Sequence, residues 1–287
     1  MDVAKAQPTD KFELVQILAQ DLSKGGLELP SFPDIVIRIR QALANENVTV
    51  DQIVQIIGAD PVLAARILMM SNSAALRPAA DPITDLRMAV NRIGHNMIRN
   101  TAVSHGVTES KDGYALKEAK VCLDRLWDEC AHVASLCFVL AKKRTNLNPD
   151  EALLIGLMHG IGKLYILKRA ESHPALFNNE SELFQIMDDW HAAIGSSIVE
   201  TWGFEQHVAE SIAHYSDFDR EHEDGADYTD VLTLAHIFSQ FVRSESMEIQ
   251  LENVPASLQL NIGTGDLVPI LDESKEQIQS LRRALGK

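Results

Sequence analysis

EALLIGLMHGIGK, residues 151–163, lies inside a longer apolar run, DEALLIGLMHGIGKLYILK (150–168), whose apolar side chains fall on nearly every face of a helix. A helix that is apolar all round belongs in an interior. VCLDRLWDECAHVASLCFVLAKK (121–143) has the same character, and HAAIGSSIVETWG (191–203) adds a small-residue helix suited to close packing on a neighbour. The apolar/polar alternation of half-buried strands is scarce, so the chain reads as all-α.

Helix punctuation outside this core agrees. Asp10 with Glu13 predicts a capping box for a first amphipathic helix carrying Phe12, Leu14, Val15 and Leu18, ended by Gly25 and Gly26. Thr49 with Gln52 repeats the box. Asp60-Pro61 and Asn148-Pro149 each place a capping side chain before a proline, whose missing N–H costs nothing at the first helical position. IVIRIRQAL, VLAARILMM and LRMAVNRIG lie among the starts of the first half. The segment 217–230 has seven acids and one Arg and reads as a solvated loop. A polar connector near 108–114 is the expected seam. The chain then divides into an N-terminal helix (1–26), two helical halves (27–110 and 111–243) and a tail with a terminal helix (244–287).

The 287 residues are 46% hydrophobic, enough for a proper core, which excludes general disorder. With 26 Lys+Arg against 41 Asp+Glu, the net charge of −15 argues against binding nucleic acid or anionic membrane by charge alone. No run approaches the roughly 18 apolar residues of a spanning helix, and the N-terminus lacks a signal layout, so a cytoplasmic location is expected. Cys122, Cys130 and Cys137 form no CxxC pair and read as reduced thiols in a helix.

Chemistry centres on histidine. His159, His191, His214 and His236 sit in apolar helical context, with Glu129, Asp188, Asp189 and Asp217 as carboxylates within the same segments. Imidazoles with carboxylates suit transition-metal ions, although a histidine on an apolar helix is more often a hydrogen-bonded core residue. His159 is followed by Gly160, which cannot ligate anything. Lys163 suits a phosphate as a point charge, or equally a helix-end salt bridge. No nucleophile elbow, P-loop or dinucleotide fingerprint is present. Met69, Met70, Asn72 and Arg77 end an apolar helix in a polar loop and are candidate contacts for a protein partner.

The chain resembles the HDOD proteins, whose domain is related to the HD phosphohydrolases. The resemblance runs from about Leu27 to about Phe241. It rests on LPSFPDIVIRI, on IIGADPVLAARILMMSNSA with Asn72-Ser73, on DPITDLRMAVNRIGHNMIRN with Ile93-Gly94, on Leu126-Trp127, and on EALLIGLMHGIGK, HAAIGSSIVETWG and SIAHY. It implies a multi-helix fold with an N-terminal helical bundle and a degenerate HD-like subdomain. HD phosphohydrolases bind metal through a His, a consecutive His-Asp and a later Asp, and one branch adds further histidines. Position by position, Glu129 stands near the first His, His159 matches the His of the pair, Gly160 replaces its Asp, and His236 falls near the final Asp. His191 and His214 resemble the additional histidines.

What the resemblance implies is a stand-alone, non-catalytic bacterial signalling protein that works through an unidentified protein partner, needs no cofactor, and is open to homo-oligomerisation. Two alternatives stand beside it. One is a residual metal-dependent phosphohydrolase that uses His159, His191 and His214 with Glu129 or Asp188 and requires a divalent metal. The other is a nucleotide or second-messenger sensor that holds phosphate with Lys163 and the histidines.

Overall fold

A computed structural model describes residues 8–27, 34–45, 47–76, 82–110, 113–243 and 251–286. Their regular elements are all helical. In the first half these are α1 (Pro8–Lys24), α2 (Asp34–Leu43), α3 (Val50–Gly58), α4 (Pro61–Ser71) and α5 (Leu86–Ser110). The second half holds α6 (Lys117–Arg144), α7 (Pro149–Met158), α8 (Ile161–Ala170), α9 (Glu180–Thr201), α10 (Gln206–His214) and α11 (Tyr228–Arg243). The tail supplies α12 (Pro255–Leu260) and α13 (Leu267–Ala284).

The bundle α2–α5 starts where its caps place it. Thr49 and Gln52 exchange their side-chain and backbone hydrogen bonds as a capping box. Asp60 Oδ1 accepts from the N–H groups of Val62 (2.9 Å) and Leu63 (3.0 Å), while its Oδ2 lies 2.7 Å from Nε2 of His105, a buried residue on α5. One carboxylate thus starts α4 and ties it to α5. Burial pushes Asp60 up, but the Leu63 N–H, His105 and the Val62 N–H outweigh it and hold the carboxyl below its ordinary value. Asp60→Ala should cost about 2–3 kcal/mol, the upper end of cap loss with a histidine orphaned as well, measured by urea unfolding at pH 7. Because this pKa is lower folded than unfolded, the stabilisation is complete above the ordinary 3.8 and is lost as pH falls through the folded value. The gap between wild type and variant should therefore close in acid.

Asn72 clamps the chain's return to α4. Its Nδ2 donates to the carbonyls of Leu68 and Ile83, and its Oδ1 accepts from the Ile83 N–H. Farther on, α5 breaks at Gly94, whose φ of 72° is open to glycine and strained for residues with a side chain.

Helix α6 is the axis of the second half, packed against α7, α8, α11 and α13. It buries all three cysteines as free thiols. The run 150–168 is two helices rather than one, because the chain turns at His159 and Gly160 between α7 and α8. Asn148 caps α7 through the Asp150 N–H, but Glu151 does not close a box; it faces His207 and Tyr228 instead. The small-residue expectation for 191–203 is met where Gly162 of α8 crosses α9. A Cβ on Gly162 would lie 2.8 Å from the His191 carbonyl carbon and 2.9 Å from the Gly195 nitrogen, with the His191 oxygen nearer still.

Two local expectations need correction. Asp10 lies inside the first turn of α1 rather than capping it, since the helix begins at Pro8. The acidic segment is solvated only in part: Asp230 is buried, bonded to His222 and paired with Arg220, which also holds Asp227. Helix α1 packs on α8 and α9, with Leu14 and Leu18 fully buried and Asp21 bound to Tyr165 and Arg169 at 2.8 Å each. Helix α13 touches both halves: Ser280 Oγ accepts from the Ala74 N–H, Ser104 Oγ donates to the Leu285 carbonyl following the helix, and Arg282 reaches Asp128. The terminal helix is a strut.

Candidate functional site

Three of the five metal-type candidates converge. Glu129 on α6, His159 at the end of α7 and His236 on α11 each offer a ligand atom, and these lie within 4.8 Å of one another. Both histidines are buried and Glu129 is half-buried. His159 Nδ1–H donates to the Gly156 carbonyl at 2.6 Å, which fixes the tautomer and leaves Nε2 as the basic nitrogen. The His236 ring is steadied by the Gln240 amide, 2.7 Å from its Nε2.

His191 stands one layer behind. Its Nδ1–H donates to the Met187 carbonyl (2.8 Å), so its Nε2 accepts from the Tyr215 hydroxyl (2.7 Å). That nitrogen is already engaged, so His191 supports the site through Tyr215. The Tyr215 ring meets the rings of His159 and His236 edge-on, with centroids 5.4 and 5.1 Å away. His214 is exposed at the end of α10 and belongs to none of the ligand clusters among the described residues. The three-histidine set of His159, His191 and His214 is therefore not assembled. In SIAHY it is the tyrosine, one residue on, that turns inward.

Burial pushes His159 down to about 4, with Lys163 and His191 acting the same way against the Gly156 carbonyl and Glu129. His191 is lowered by burial and then by Lys163, and Tyr215 is held well above its ordinary range by burial. Both rings are neutral at pH 7. The unfolded His159, at an ordinary 6.5, takes up its proton first as pH falls, so the stability tied to this ring is complete above 6.5 and drains away toward pH 4. In chelator-treated protein, urea unfolding should show about 3 kcal/mol lost over that interval from this group, and His159→Gln should flatten the slope.

The position after His159 shows why the hydrolytic set is incomplete. A Cβ on Gly160 would fall inside 3.0 Å of the Cys130 sulfur. The thiol fills the space a side chain there would need. The residues present thus fit one ion, bound by a carboxylate and two imidazoles, and do not fit a pair of ions sharing a bridging carboxylate.

Lys163 is largely buried, with its ammonium 3.5 Å from Asp188. Of the candidate partner contacts, Met69 is half-exposed, whereas Met70 is fully buried and the Asn72 amide is spent on Leu68 and Ile83. Met70 and Asn72 thus stabilise the fold and do not present a surface. Arg77 lies outside the described residues. Sequence reasoning missed Tyr215, Gln240 and Cys130 as parts of the site. Gln240 carried a signal, being one helical turn after His236; Cys130 carried none, because its meeting with Gly160 is a contact between helices.

The family profile described as HDOD domain matches residues 29–218. This chain belongs to the HDOD family. Among solved structures, this HDOD protein is similar to a candidate metal-dependent phosphohydrolase from Shewanella amazonensis SB2B, with 24% identity, a TM-score of 0.80, and 96% of this chain and 99% of the other covered. It is also similar to an HDOD domain protein of unknown function from Geobacter sulfurreducens, with 22% identity, a TM-score of 0.67, and 96% and 98% covered. At these identities the likeness establishes the fold alone. An uncharacterized protein of Treponema pallidum (strain Nichols) is 23% identical over 248 residues, which make up 80% of this chain but 45% of that protein, so the HDOD chain spans about half its relative's length. No helix among the described residues is long and apolar enough to cross a membrane.

Proposed function

We propose that this HDOD protein transmits a signal by binding a protein partner and does not hydrolyse phosphoesters. The observation that carries the reading is the Gly160–Cys130 contact: a thiol occupies the room for the carboxylate that a two-metal hydrolase shares between its ions. The helical frame persists around a site that lacks this ligand, and a fold can outlive its chemistry.

The outer face of α4 supports the partner. Val62 and Met69, two turns apart, are 54% and 51% exposed, with exposed Ala65 between them. Met88, at the start of α5, is 59% exposed. An apolar helix face of this kind suits a partner's apolar surface, and methionine adapts to such contacts. The test is crosslinking capture with the full chain as bait in host extract. A partner captured by wild type and lost with Met69→Asp is the expected result. Capture that is absent, or indifferent to Met69→Asp and Val62→Asp together, would overturn the reading.

A further inference from the structure

We propose that Glu129, His159 and His236 bind one divalent transition-metal ion of the zinc or iron(II) class, as a fold-stabilising ion linking α6, α7 and α11. Metal–ligand bonds of about 2.0–2.2 Å place the ligand atoms of one ion roughly 3–4 Å apart, and the three atoms already lie within 4.8 Å of one another. Small side-chain adjustments close the difference.

Each ligand is prepared for the task. The Gly156 carbonyl holds His159 so that Nε2 carries the lone pair, and the Gln240 amide fixes the His236 ring. Partners of this kind, one shell out, orient metal-binding imidazoles. Glu129 contributes the negative charge and, being half-buried, a route for the ion to enter. Two imidazoles with one carboxylate favour a first-row transition ion over magnesium or calcium, which prefer all-oxygen sets. The other four ligand clusters among the described residues each set one histidine among two carboxylates, an ion-pair composition rather than a nitrogen-rich site. Tyr215 covers the histidine rings, and its hydroxyl is committed to His191, so the covering ring brings no competing anion.

The test is titration of the chelator-stripped full chain with Co(II) and then Zn(II). It reads Co(II) visible absorption, metal content by elemental analysis, and melting temperature. One ion per chain is expected, with Co(II) bands of nitrogen coordination and a melting temperature raised by Zn(II). Glu129→Gln and His236→Gln should each weaken binding by about tenfold or more and abolish the zinc shift, with His214→Gln matching wild type. Circular dichroism checks folding; should His236→Gln unfold, the near-isosteric Glu129→Gln decides. No Co(II) bands, two ions per chain, or wild-type affinity in Glu129→Gln would overturn the site. The partner reading is tested separately by capture, so either can fail alone.

Discussion

Gly162→Ala should be the most damaging single-methyl change in this protein, costing at least about 3 kcal/mol or preventing folding. The added carbon would meet the His191 carbonyl and the Gly195 nitrogen, which are backbone atoms of α9 that no rotamer change can move aside. Relief requires α8 and α9 to separate, and that motion opens the packing of Leu164, Leu167, Ile194 and Ile198, all buried. It also shifts His191 away from Tyr215, so the layer behind the metal-type cluster is lost along with stability. Urea unfolding of Gly162→Ala against an exposed control, Gly58→Ala, measures it: a Cβ on Gly58 would have nothing within 4 Å and should change little. A Gly162→Ala protein as stable as wild type would show that the helices do not approach this closely.

Gly160→Asp should fail to create a hydrolase and should lose about 2–3 kcal/mol. The new Cβ collides with the Cys130 sulfur, and the carboxylate would enter a buried space without a prepared partner. Unlike the Gly162 clash, this one involves a side chain, so it can be relieved. Cys130→Ala combined with Gly160→Asp should recover about 1–2 kcal/mol relative to the sum of the two single changes, the signature of residues in contact. Strict additivity in that double-mutant cycle would mean the thiol is not what excludes a side chain at 160.

Most of the architecture was legible because caps and periodicity are local. Thr49, Asp60 and Asn148 start their helices as their side chains demand, and the apolar runs around 121–143 and 150–168 lie in the core. The break between α7 and α8 was hidden, since the run stays apolar through the turn and only the glycines after His159 hint at it. Glu129, His159 and His236 were identifiable as candidates from the resemblance, but their convergence depends on how α6, α7 and α11 pack, which periodicity does not encode. His214 and Tyr215 show the limit plainly. They are neighbours at a helix end, and a fraction of a turn decides which faces inward. Met70 likewise differs from exposed Met69 only by its angle on α4.

The account centres on a helical frame of the HD type that no longer performs phosphoester hydrolysis. The direct measurement is steady-state turnover of the full chain, loaded in turn with Mn(II), Fe(II), Zn(II) and Mg(II), on a phosphomonoester and on cyclic dinucleotides. Rates indistinguishable from those of His159→Gln under every metal are predicted. Wild-type turnover that disappears in His159→Gln would contradict the account.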